Sequence, residues 1–532
     1  MKITFLGIGS EQLGISQLSA IAKKCGHETN LAFSAQLFND RYNLQFPSIA
    51  KYFDDTQNAI DTIKNTQPDV IAFGALTSTY QWGLEVAATA KAHNPDVKVV
   101  FGGVHVSAVP DLVLQQPQVD YVVVGEADIA FPEILRSIEH NDLVTPIINT
   151  RFKGLDGSII RGKQGGFIQD LDSLPFYDKT LWEENLRMGD LYITMATRGC
   201  PYRCTFCFNN FFAKLPEENG GKYVRLRSVD HVIAELKYAK KRYDLKRIDF
   251  EDDVFGTQKK WLREFAEKYK KEINVPFQIL THPKFMDDES GKLLAFAGCE
   301  WVQMGIQSMD DDFKKESLLR YESSDDISNA LEVMHKYKIN VKVDHMFGLP
   351  NEPISAQETA LNLYKKNHLK RINTFWTCFL PGTQLMNEAI RDGLLTEKQI
   401  QDINEGKDFY FYRNFENVKD KNLQNFFHSY EFIFKLIPIL PLFIKKRILP
   451  KHVLWIPSVI KDSIMLVADI LTGLSFKNPV FTAYRNHNLF QLYKFFGAKL
   501  GFKKIVAQKP NIDDSINQYY PKRIITQENI TL

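Results

Sequence analysis

Three cysteines in eight residues, Cys200, Cys204 and Cys207 in the run Arg198-Gly-Cys-Pro-Tyr-Arg-Cys-Thr-Phe-Cys-Phe, are the side chains of this sequence best suited to chemistry. Thiolates clustered on a short loop hold iron–sulfur clusters, and three ligands for a four-iron cluster leave one iron without a protein ligand, open to a second molecule. A structural zinc site needs a fourth tetrahedral ligand, and no His or further Cys lies nearby in sequence. A disulfide framework fits less well. Only six cysteines occur in 532 residues, Cys25, Cys299 and Cys378 are scattered, and no secretory signal precedes them, so a reducing, cytoplasmic compartment is expected.

The C-x3-C-x2-C spacing, with Phe206 before the last cysteine, resembles the signature of radical S-adenosylmethionine (SAM) enzymes, and further motifs follow in the family's order. The resemblance implies a 4Fe-4S cluster on Cys200, Cys204 and Cys207 whose fourth iron is chelated by SAM, and cleavage of SAM to a 5′-deoxyadenosyl radical. It also implies SAM contacts from Phe206, from the acidic strand end at Asp252 and Asp253, and from Gln307 and Ser308 in Met304-Gly-Ile-Gln-Ser-Met. Gln307 stands where the family's Gly-Ile-Glu-Ser pattern has Glu, keeping hydrogen bonds to ribose but losing the charge. Arg320 lies where relatives carry a base for the SAM carboxylate, and a guanidinium fork suits that task. Leu349 belongs to Gly348-Leu-Pro-Asn-Glu, similar to the Gly-Leu-Pro-Gly-Glu segment that packs adenine; Asn351 replaces glycine there, and Asn also visits left-handed backbone. Either carboxylate of the Asp252–Asp253 pair could instead cap a helix near Gln258. His282, His345 and Cys378 sit near predicted strand ends and are read as packing residues before catalytic ones.

The elements that must position these residues follow from periodicity. From 1 to about 140, apolar runs at 3–6, 28–33, 70–73, 97–101 and 121–124 alternate with amphipathic stretches, which predicts a doubly wound, flavodoxin-like parallel sheet. Such sheets bind ligands beyond the carboxyl ends of their strands. A dinucleotide fingerprint fails, because Gly7-Ile-Gly9 is followed by Gln at position 12. The segment is instead similar to the cobalamin-binding domain ahead of some radical SAM cores. That resemblance implies contacts from Leu13 and Gly14, Thr77 and Ser78, Gly102, Gly103 and His105, and Gly125 and Glu126. With no Asp-x-His-x-x-Gly motif, it implies cobalamin without a lower axial His from that source, and His105 is as suited to packing as to touching the corrin. A scaffold emptied of cobalamin is the alternative.

Residues 141–190, with Gly154, Gly157, Gly162, Gly165 and Gly166, read as a linker. Within it, Leu174-Pro-Phe-Tyr-Asp178 resembles the approach segment before such cores. From 191 to 390, strands and helices alternate as a partial (β/α)6 barrel requires, with strands predicted at 192–197, 247–252 and 372–379, a helix at 229–243, and the cysteine loop at the carboxyl end of the first strand. Residues 391–532 resemble no family and read as mainly helical. Residues 421–532 hold sixteen Lys/Arg against six Asp/Glu, on a chain whose net charge is only +2. The apolar run 432–444 is too short and too interrupted by Lys435, Pro438 and Pro441 to cross a bilayer of ~30 Å. Two arrangements stay open for it: a helical cap with a solvated basic rim, or an apolar face beside Lys445, Lys446 and Arg447 lying on the inner face of an anionic membrane. Nucleic-acid binding lacks a recognisable module.

Together these readings predict a cobalamin-dependent radical SAM enzyme methylating an unactivated carbon, with cyclisation or rearrangement without methyl transfer as the alternative and a non-enzymatic cofactor-binding factor a distant third. The expected partners are a small-molecule substrate, of lipid or isoprenoid class if the tail meets a membrane, and a low-potential electron donor.

Overall fold

The computed structural model describes residues 1–40, 44–45, 47–217, 221–408, 421–476 and 478–499, with Ala507 and Pro510. The first five core strands, Lys2–Ile8, Glu28–Ser34, Val70–Gly74, Lys98–Gly102 and Tyr121–Val123, lie in the flavodoxin-like order 2-1-3-4-5 and pair in parallel. Their near-continuous apolar sequences have a direct cause: both faces are covered. Ile3, Phe5, Val70 and Ala72 pack into one core while Leu6, Ile71 and Phe73 pack into the other.

The segment 141–190 is not a simple linker. Thr150–Lys153 and Ile159–Arg161 extend the first sheet as two antiparallel strands. Spacing by glycine suggested loop, but the short alternating runs Thr-Arg-Phe-Lys and Ile-Ile-Arg complete an edge. Beyond them the chain is fastened to the Leu13–Lys24 helix. Gln17 Nε2 donates to Pro175 O (3.0 Å), Ser19 Oγ donates to Asp178 (2.6 Å), and the fully buried Trp182 donates to Ser16 Oγ (2.8 Å). Lys179 and Glu11 form a buried ion pair at 2.5 Å.

The second sheet has six strands in sequential order, Tyr192–Thr194, Ile248–Phe250, Phe277–Thr281, Cys299–Gln307, Asn340–Phe347 and Arg371–Trp376, all parallel: an open half-barrel. The predicted 192–197 strand is shorter than expected. It stops at Thr194, Ala196 N–H turns to the Asp252 carboxylate (3.0 Å), and Thr197–Arg198 pairs antiparallel with Arg225–Leu226. The helix Val229–Arg242 starts where Ser228 caps it, accepting from His231 N–H (3.1 Å). Past the barrel the described chain is helical, with Lys421–Leu436, Leu442–Arg447, Ser458–Ser475 and Pro479–Lys499.

Candidate functional site

The cysteine loop is held by partners far along the chain. Cys207 N–H donates to Cys204 O (3.0 Å), Thr205 N–H to Leu318 O (3.2 Å), and Leu385 N–H to Thr205 O (2.9 Å). Gly199, with φ 85°, admits the chain; a Cβ there would lie 2.4 Å from Tyr223 O. Backbone N–H groups of Tyr202 and Asn209 bond the sulfurs of Cys200 and Cys207. Burial pushes those two thiols up to about 12 and raises Cys204 as well, so they stay protonated until a metal displaces the proton. All three are free thiols. Among the described residues no three His, Cys, Asp or Glu side chains converge as a single ion requires. Three thiols on one loop with N–H donors at the sulfurs are instead the donor set of a cluster, whose ligands sit on separate irons.

Behind Cys204 lies a buried polar chain. Arg320 reaches Cys204 Sγ (3.7 Å), donates to Gly305 O (2.8 Å), and through Nε pairs with Glu322 (2.7 Å). Glu322 also meets His282 Nε2 (3.1 Å), and the His282 ring stacks on Tyr202 at 3.9 Å between centroids. Against the upward push of burial, the His282 hydrogen bond and the Arg320 guanidinium hold the Glu322 carboxyl down at about 2. Arg320, expected at the SAM carboxylate, is buried beside a cluster ligand and engaged with sulfur, carbonyl and carboxylate. Glu322 escaped the sequence reading, though its place two residues from Arg320 on an extended stretch was a usable signal.

The remaining expected SAM residues gather around the same loop. Asp252 is fully buried; one oxygen accepts from Ala196 N–H, the other has no partner, and burial raises its carboxyl to about 7. Asp253 is exposed, bonds Asn209 and lies close enough to Cys200 and Cys207 to act on their charge, and the protein packed around it raises its carboxyl. Gln307 takes φ 65°, and a Cβ on Gly305 would lie 2.6 Å from its Nε2. Buried Ser308 bonds Glu352, whose carboxyl burial lifts to about 7. Phe206 and Leu349 meet in one apolar cluster with Phe313 and Leu318. Asn351 holds φ 63°, the conformation glycine would supply. His345 is buried with Tyr364 and Gln357 on its two nitrogens (2.9 Å each), a packing residue.

On the first sheet the expected cobalamin residues separate into two groups. Leu13, Gly14, Ser78, Gly102, Gly103 and Gly125 lie partly or fully exposed at the carboxyl edge. Gly103 has φ 94°, and a Cβ there would sit 2.7 Å from Ala75 O. Thr77 and His105 are buried and bonded to each other (3.1 Å), with Asn404 and Gly406 packed against them, so neither side chain faces open space. Glu126 stands apart from both groups. It is held by both terminal nitrogens of Arg225 (2.6 and 2.9 Å) and lies 3.4 Å from Arg198, which also grips Asp128 (2.8 and 3.1 Å). These pairs clamp the carboxyl edge of the first sheet onto the cysteine loop. Val124, Phe167, Phe212, Leu215 and Tyr223 form an apolar cluster across the same junction. A groove of about 610 Å³ beside Lys284, Asp287 and Lys336 lies elsewhere and includes none of these residues.

Residues 10–135 match the B12 binding domain family and residues 194–363 the Radical SAM superfamily. The chain is a radical SAM enzyme with a cobalamin-binding domain ahead of its barrel, and its cofactors are a 4Fe-4S cluster, SAM and cobalamin. A small-molecule substrate and an electron donor go with this class. Among its relatives, the uncharacterized methyltransferase PH0819 of Pyrococcus horikoshii is 26% identical over 71% of this chain and 82% of its own. The bacteriochlorophyllide d C-8(2)-methyltransferase of Chlorobaculum tepidum is 24% identical over 56% and 63%. The fold is shared with the radical enzyme OxsB, solved with aqua-cobalamin and SAM (TM-score 0.64, 14% identity, 95% of this chain and 76% of that one). It is shared too with the methyltransferase TsrM of Kitasatospora setae, solved with cobalamin and a 4Fe-4S cluster (TM-score 0.57, 16% identity, 73% and 78%).

Proposed function

We propose that this enzyme transfers a methyl group to an unactivated carbon of a small molecule, with cobalamin as methyl carrier. One observation carries the reading: the carboxyl edges of both sheets, one with the Gly102-Gly103 and Gly125 turns and the other with the three thiols, are closed on each other by Arg198 and Arg225. A substrate held between them would be within reach of both cofactors. When bound, the cluster and cobalamin supply one-electron cleavage of SAM and a transferable methyl group. The chain's own part is placement. Cys200, Cys204 and Cys207 would hold the cluster. Asp253, Gln307, Ser308, Phe206 and Leu349 would orient SAM, and the Gly103 turn would seat the corrin by letting backbone approach closely. The junction cluster around Phe167 and Tyr223 keeps water out.

The names of the relatives support methyl transfer. The apolar, basic C-terminal region supports a lipid or isoprenoid substrate met at a membrane surface. The test is anaerobic reconstitution with iron, sulfide, cobalamin, SAM and a low-potential chemical reductant, together with metabolite mass spectrometry of cells with and without the gene. Methyl transfer predicts deoxyadenosine together with S-adenosylhomocysteine and one metabolite heavier by a single methylene. Deoxyadenosine without S-adenosylhomocysteine would overturn it in favour of rearrangement. Cys204→Ala is expected to lose the cluster and all deoxyadenosine formation.

A further inference from the structure

The Ser458–Ser475 helix is packed with the less expected face inward. Ile460, Ile464, Val467, Leu471 and Leu474 recur at the spacing of one helical stripe, the pattern that ordinarily marks a core face. Each of these five is exposed, from 38% at Ile464 to 53% at Val467. The face packed inward carries Lys461, Met465, Ala468 and Thr472. Lys461 is 0% exposed, its ammonium donating to Asn425 Oδ1 and Ser429 Oγ at 2.8 Å each on the Lys421–Leu436 helix. Burying an ammonium while leaving five large apolar side chains in water is costly twice over. The preceding chain repeats the pattern: Leu442 and Phe443 are exposed, Trp455 is 80% exposed, and Lys446, Arg447 and Lys451 stand exposed between them. The acids of 442–475 are Asp462, which bonds His428, and Asp469, which bonds Lys435, so neither is paired with the exposed Lys446, Arg447 or Lys451 of the same segment.

We propose that this face docks on an anionic lipid bilayer, with the helix in the plane of the interface, its Ile460–Leu474 stripe and Trp455 among the acyl chains, and Lys446, Arg447 and Lys451 at the headgroups. Among the described residues no helix is long and apolar enough to cross a membrane, so the contact is peripheral. Charge selects the occupant. A second copy of the same face would set Lys446, Arg447 and Lys451 against their own kind, whereas anionic headgroups neutralise them. The inference rests on the lipid-class substrate for its purpose and names the surface that would deliver it; its test needs no turnover and so fails independently of methyl transfer.

The full-length holoenzyme, purified anaerobically, is floated with phosphatidylcholine vesicles with and without phosphatidylglycerol. Flotation with the anionic vesicles is expected, its partition falling about 25-fold in Lys446→Glu/Arg447→Glu and about a hundredfold on neutral vesicles, since each basic residue near the surface contributes roughly fivefold. The pair Ile464→Asp/Val467→Asp is expected to abolish it with unchanged circular dichroism. As a reading on the native fold, brominated lipid should quench fluorescence in the wild type by an amount missing in Trp455→Phe. Wild-type protein left unbound by anionic vesicles overturns the proposal, as does light scattering that shows a dimer dispersed by the same Asp pair in place of vesicle binding.

Discussion

Glu322 and Glu352 show how far surroundings can pull one residue type apart. Glu322, between Arg320 and His282, stays ionised down to about 2, whereas Glu352, walled in with Ser308 and Gln357, keeps its proton up to about 7. An unfolded chain releases the Glu352 proton near 4.5, so between about 4.5 and 7 the native state binds more protons than the unfolded one. The contribution of Glu352 to stability therefore falls as pH rises through that window. Glu352→Gln removes this dependence: its thermal midpoint plotted against pH should be flatter than wild type from about 4.5 to 7 and higher above it, as differential scanning calorimetry would record. Glu322→Gln keeps the shape but leaves the Arg320 charge without its counter-charge beside Cys204. It should cost about 2 kcal/mol, as loss of a charged hydrogen bond does. It should also draw electron density from the sulfur and raise the potential of the cluster, read by paramagnetic resonance during redox titration. The three cysteines were legible because their meaning lies in spacing along eight residues. The Arg320–Glu322–His282 chain was not, because His282 joins it from forty residues away.

At the scale of elements, turns decide whether a strand end can receive a cofactor. Gly103 combines a left-handed backbone with a site where any side chain would meet Ala75 backbone at 2.7 and 2.8 Å. Gly103→Ala should therefore cost about 1–3 kcal/mol from backbone strain alone. The variant should lose bound cobalamin absorbance while keeping the cluster, since the cysteine loop hangs on Leu318 and Leu385, not on this turn. Strand positions were readable from apolar runs, since strands covered on both faces leave an unmistakable sequence pattern. Thr150–Lys153 and Ile159–Arg161 were hidden: three or four residues carry too little periodicity to stand out between glycines. The direction of the Ser458–Ser475 stripe was set by Lys461 finding Asn425 and Ser429.

At the scale of the whole molecule, two domains are locked by Glu126 and Asp128 on one against Arg225 and Arg198 on the other. Glu126→Ala strips Arg225 of both its carboxylate contacts and leaves a buried guanidinium with only carbonyl partners at Ile168 and Tyr223. Removing one partner of such a pair costs about 3 kcal/mol. A lower melting temperature is expected, with faster proteolysis at the junction and a larger maximum dimension in small-angle scattering. Unchanged scattering and melting would show that the apolar cluster around Phe167 alone holds the domains. By itself the sequence determined what short-range pattern can encode: the cysteine triplet, the ordered motifs around Gln307 and Leu349, the alternation of both sheets, and the basic, apolar character of the C-terminal region. Only the tertiary structure decided which way Arg320, Glu126 and the Ser458–Ser475 helix point, because each answer depends on a partner tens of residues distant. Such pairings are fixed by the closure of the whole chain, when buried charges must find counter-charges and no local propensity can specify which.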